Sequence, residues 1–145
     1  RSTAMAMRVA MNRLISTNVG RMDSLVPVHI CPPAVVGNWL SYFDRVGLRP
    51  EVISQGLLSN PKKESSKNRL KHIPRTPLLG VDEIHNYLNK KSNRTKSLKT
   101  QNADAIILAT ATPINKEFKD LTKLLEILGT NWMDPITMKE LKRLL

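Results

Sequence analysis

Short apolar runs alternate with helical spacings along this chain. Residues 4–16, AMAMRVAMNRLIS, read as a helix with Met5, Val9 and Leu14 along one side. LVPVHIC (25–31) is β-rich and closed by Pro32 and Pro33, so it reads as a strand that stops abruptly. In AVVGNWLSYFDRV (34–46), Val35, Val36, Trp39, Leu40, Phe43 and Val46 recur at helical spacing across Gly37. PEVIS (50–54) is a short strand. PLLGVDE (77–83) and ADAIILAT (103–110) are near-continuous apolar runs, the pattern of strands covered on both faces of a parallel sheet. NKEFKDLTKLLEILG (115–129) is an amphipathic helix with Phe118, Leu121, Leu125 and Leu128 as its stripe, Asn115 as N-cap and Gly129 as its stop. ITMKELKRLL (136–145) starts another helix. Helix and strand alternate, so the class is α/β, a mainly parallel sheet with helices on both faces.

A length of 145 residues suits one domain. No run approaches the roughly 18 apolar residues of a membrane span, and Arg8 and Arg13 interrupt the opening segment, against a signal peptide. The single cysteine, Cys31, excludes an internal disulfide and a cysteine-based metal cluster, and fits a reducing intracellular compartment. Charge changes the picture more. Lys and Arg number 23 against 12 acids, a formal +11, which favours polyanion partners. The excess gathers in PKKESSKNRLKHIPR (61–75) and KKSNRTKSLK (90–99), read as exposed loops or weak exposed helix. Aromatics are 4% of the chain, so base stacking is a poor fit and phosphate contact would dominate, with little sequence specificity and strong salt dependence.

The chemistry concentrates in VDEIHNYLN (81–89). In an open α/β sheet ligands gather at the carboxyl ends of the strands. Asp82 and Glu83 fall at such an end, as do Pro32 and Pro33, Ser54, and Thr110 with Thr112. Adjacent acids there can divide two tasks, one toward a hard Mg²⁺ and one toward an attacking water. The alternative is an N-capping Asp beside an exposed Glu, and the tetrapeptide alone does not separate them. His85 has no second histidine at i+4, so a zinc site is not expected. His29 and Cys31 read as core packing.

Four blocks in order resemble the first ATPase lobe of the Swi/Snf-like branch of helicase superfamily two, closest to its RapA-like translocases. VDEIHNYLNKKSNRTKSL resembles that family's V-D-E-A-H-N-F-x-N-x-x-S-x-R run, and IILATATPINKEFKDLTKLLEILG its L-S-A-T-P-I-N-N stretch. CPPAVVGNWLSYF and EVISQGLLS are similar to its A-P-x-x-L-L-x-N-W and v-i-S-y-g-x-L segments. The resemblance spans residues 26–129 and implies a RecA-like, P-loop-type three-layer fold, residues 1–145 being part of lobe one. It implies ATP and Mg²⁺ as cofactors and the phosphate backbone of duplex DNA as partner. Asp82 would hold Mg²⁺ through water, Glu83 would activate water, and His85, Thr110 and Thr112 would couple nucleotide state to lobe movement. Pro33, Asn38, Trp39 and Ser54 would face or brace the DNA backbone, joined by Lys90, Lys91 and Arg94; Trp39 also reads as core. Ile84, Leu88 and Thr110 depart from the family's usual residues. The family's G-x-G-K-[ST] P-loop is missing, with Arg1 and Ser2 standing where Lys-Thr would, so Ser2 is a weak cofactor contact. The second lobe is also missing. The resemblance therefore implies a fragment, inactive alone, whose strand 104–109 has an open edge. The rivals are a non-catalytic nucleic-acid-binding remnant and a related viral or RNA-acting helicase lobe.

Overall fold

The computed structural model describes residues 2–17, 26–59, 75–89, 91–99 and 103–110, with Lys139 and Arg143. The expected helix 115–129, Lys90, Thr112 and all of the basic run 61–75 except Arg75 lie outside them. Helix α1 spans Ser2–Thr17, β1 Val28–Cys31, α2 Val36–Arg45, β2 Glu51–Ser54, α3 Gln55–Ser59, β3 Thr76–Val81, α4 Asn93–Lys99 and β4 Ala103–Leu108. Single 3₁₀ turns, Pro33–Val35 and Ile84–Tyr87, follow β1 and β3. The strands form one sheet in the order β2-β1-β3-β4, every pairing parallel.

Alternation along each strand sends side chains to two cores. Val28, Ile30, Ile53, Leu79 and Val81 meet Leu58, Ile84, Tyr87 and Leu98 on one face. Cys31 and Leu78, with half-buried Val52, Ala105 and Ile107, meet α1 and α2 on the other. Strand β3 is buried at all six positions because it lies inside the sheet. Strand β4 has the same apolar composition but only partial burial, since among the described residues it is the sheet's edge. An apolar edge of this kind is a template for further pairing.

The buried stripe of α1 is Ala4, Met7 and Met11, with Leu14 packed at its margin. Met5 and Val9, expected on the core side, are 53% and 51% exposed. Apolar residues surround this helix, so spacing permits either stripe. Fit decides: Met7 sits over Gly80, where a Cβ would lie 2.6 Å from its sulfur and 2.5 Å from His29 Nδ1. Met7 fills the space that the missing Cβ leaves.

Helix α2 buries Trp39 and Phe43 one turn apart and leaves Leu40 half exposed, although Leu40 shares their apolar spacing. Pro33 does more than end β1. It opens the 3₁₀ turn that leads into α2, at a position where the missing N–H costs nothing. The helix stops at Gly47 (φ 70°) in a Schellman arrangement, with Leu48 N–H donating to Phe43 O and Gly47 N–H to Asp44 O. Arg8 of α1 donates to the Gly47 carbonyl at 2.7 Å, tying the two helices together.

Candidate functional site

Parallel strands bring their carboxyl ends to one rim, and the described ones among the predicted polar positions fall there. Asp82 follows β3 directly, and its N–H extends the ladder by donating to Ile30 O at 2.8 Å. Ala109 N–H donates to Val81 O at 2.8 Å, so the residues after β4 stay level with the acids. Pro33 is exposed just after β1, Ser54 closes β2 in register with Cys31, and Asn38 is exposed in the first turn of α2.

The two acids are held differently from a helix start. Asp82 does not cap the following 3₁₀ turn, whose N-cap is Glu83 with no side-chain cap bond. Instead the Asp82 carboxylate is gripped at both oxygens. Glu83 N–H donates to Oδ1 at 2.9 Å and the Trp39 indole N–H donates to Oδ2 at 3.0 Å. Trp39 is thus core and site at once, 8% exposed yet bonded to the rim.

Glu83 adopts the left-handed conformation (φ 53°, ψ 49°), the one non-glycine residue with positive φ among those described. Such a backbone costs about 1–3 kcal/mol and gathers at functional sites. The turn around it is fastened on both sides. Asn86 N–H donates to Glu83 O at 2.9 Å, and Ile84 N–H donates to Ala109 O at 3.0 Å.

His85 joins the two strand ends. Its Nδ1 lies 3.1 Å from Glu83 Oε2 and 3.2 Å from Thr110 Oγ1. Glu83, His85 and Thr110 therefore lie together in space. Ser2 opens α1 and is exposed.

The basic segment after residue 90 contains a short helix. Ser92 caps α4 by accepting Thr95 N–H at 3.1 Å, and buried Thr95 donates to Tyr87 O at 2.9 Å. Lys91 is exposed, while Arg94 is half-buried with its guanidinium 5.9 Å from the Tyr87 ring centroid. Burial pushes the Tyr87 hydroxyl far above its ordinary value, opposed by the Arg94 charge.

One contact escaped the sequence. Asn86 donates to Gln55 at 3.4 Å, linking the acidic turn to the residue after β2. No spacing rule relates residues 31 apart. His29 is fully buried in an aromatic nest, its ring 4.1 Å from Trp39 and 5.1 Å from Phe43, and neither ring nitrogen has a hydrogen-bond partner. Burial lowers its pKa from 6.5 to about 4, so it is neutral near pH 7. Beside it Cys31 is pushed up to about 11, by burial first and by the Asp82 charge second. The sequence marked both as packing residues, and their burial agrees.

The donor set can be matched to metals. Among the described residues no group of three or more His, Cys, Asp or Glu side chains converges on one point. Two adjacent carboxylates on a partly open rim, each oxygen of Asp82 keeping a second lone pair, suit Mg²⁺, which takes one or two carboxylates and completes its shell with water and phosphate. No helix among the described residues is long and apolar enough to cross a membrane.

No protein-family model matches the chain, and no curated protein matches it. Among solved structures, the SWI2/SNF2 ATPase core of Sulfolobus solfataricus, determined in complex with double-stranded DNA, is similar with a TM-score of 0.59 at 21% identity. The match covers 88% of this chain and 29% of that one. The likeness is one of fold: an all-parallel α/β sheet of the RecA-like kind, of which this chain spans under a third of the neighbour's length.

Proposed function

We propose that this chain is part of the first RecA-like lobe of an ATP-dependent translocase of the Swi/Snf type, which couples ATP hydrolysis to movement on duplex DNA. The observation that carries the reading is the junction of Asp82, strained Glu83, His85 and Thr110 at one rim of a parallel sheet. The fold shared with an ATPase core solved on double-stranded DNA, and the +11 charge, support it further.

In this reading Asp82 would hold Mg²⁺ through water, and the metal when bound would supply charge neutralisation for the transferring phosphoryl group. Glu83 accepts the proton of the attacking water. Its left-handed backbone turns the carboxylate back toward His85 rather than along the strand. His85 passes the state of that carboxylate to Thr110 after β4, with Thr112 beyond it. Ser2 remains a weak contact to the nucleotide. Pro33, Asn38, Ser54, Lys90, Lys91 and Arg94 meet the DNA backbone, a contact that positions the protein without reading bases. A second RecA-like lobe and a P-loop strand complete the parent enzyme, so the 145-residue chain alone turns over ATP poorly.

The test is ATP turnover by the parent protein with and without duplex DNA, beside its Glu83→Gln variant. DNA stimulation that Glu83→Gln abolishes, with ATP binding spared, supports the reading. Turnover indifferent to Glu83, or preference for single-stranded RNA over duplex DNA, defeats it. Binding should also weaken steeply with salt and ignore base sequence.

A further inference from the structure

The Trp39 indole is fixed before it meets Asp82. Its ring packs against His29 (4.1 Å between centroids), Phe43 (5.5 Å) and Tyr42 (6.0 Å), on three sides that restrict rotation. A buried indole has one donor and no acceptor, and here that donor is spent on Oδ2 of a carboxylate 43 residues away. Asp82 is anchored at its backbone by Ile30 O and at Oδ1 by the N–H of Glu83. With one donor on each oxygen, the carboxylate plane is determined. Each oxygen keeps a lone pair for a further partner. The same Oδ1 bond helps hold Glu83 in its left-handed turn, so a carboxylate free to rotate would loosen both acids.

We propose that Trp39 is a positioning residue for Asp82, its indole N–H orienting the carboxylate so that the free lone pairs face the water shell of a hard divalent cation at the rim. This deepens the reading given above and rests on it for the identity of the site. Asn38, exposed and assigned to DNA phosphate, and Trp39, buried and bonded to Asp82, are consecutive residues of one helix. Partners that orient a metal-binding carboxylate typically change metal affinity ten- to a hundredfold when removed.

The experiment uses the 145-residue chain and needs no turnover. In ¹H–¹⁵N spectra the two tryptophans, Trp39 and Trp132, give two indole resonances. Asp82→Asn is expected to move the Trp39 indole N–H upfield and speed its exchange, leaving Trp132 in place. Trp39→Phe keeps an aromatic ring in the nest and removes the donor together with part of the ring volume. Mn²⁺ alone is the probe for the second arm, followed by paramagnetic broadening around Asp82. Its affinity should fall about tenfold in Trp39→Phe, and the thermal midpoints of the two proteins should be compared to exclude unfolding. An indole resonance indifferent to Asp82→Asn overturns the proposal, as does equal Mn²⁺ affinity in wild type and Trp39→Phe. If both arms behave as expected while the parent protein shows no Glu83-dependent turnover, the positioning role stands and the hydrolase reading falls.

Discussion

Replacing His29 with leucine should remove a specific part of the acid sensitivity of this fold. His29 is 0% exposed, packs against Trp39 and Phe43, sits opposite Gly80 in the sheet, and has no partner at either ring nitrogen. Desolvation therefore depresses its pKa from 6.5 to about 4 in the folded chain. The sign follows from linkage. Above pH 6.5 the ring is neutral in both folded and unfolded chains and contributes no pH dependence. Between 6.5 and about 4 the unfolded chain takes up a proton that the folded chain refuses, so stability declines as pH falls. At ~1.4 kcal/mol for each tenfold difference in proton affinity, the loss reaches on the order of 3 kcal/mol near pH 4 and then levels. Urea unfolding at pH 7, 6, 5 and 4, followed by tryptophan emission, measures it. Carboxylates titrate in the same range, so the quantity to read is the difference between wild type and His29→Leu. That difference should grow toward acid in favour of the variant. Parallel pH profiles, or a His29 resonance that titrates near 6.5 in the folded chain, would refute the argument.

Other outcomes follow from the same packing. Gly80→Ala should destabilise the chain by about 1–3 kcal/mol in urea unfolding, because its methyl group meets His29 and Met7; shortening Met7 to alanine in the same protein should recover part of the loss. At the left-handed position, Glu83→Gly should be more stable than Glu83→Ala by about 1 kcal/mol, the reverse of the helix preference, and equal midpoints would mean the turn relaxes. Cys31, fully buried and raised to about 11, should resist a disulfide reagent at pH 8 in the folded chain and react promptly in denaturant.

Much of the architecture is written locally. Proline pairs, β-branched runs and an apolar period determined the four described strands to within about three residues at either end, and parallel pairing follows from their alternation with helices. The position of Asp82 and Glu83 at a strand end was legible because the apolar run PLLGV ends directly before them. Tertiary structure decided the rest, since it depends on what faces what. Helix α1 carries two usable stripes, and only the notch at Gly80 selects the one through Met7. Leu40 has core spacing on α2 but no sheet opposite it, so it stays exposed. β3 and β4 share an apolar composition, and burial separates them because one lies between neighbours and the other at an edge. The left-handed turn at Glu83 and the bond from Trp39 to Asp82 have no local signature. Both arise where an aromatic nest beneath the sheet meets the strand ends above it, a contact between segments far apart in the chain.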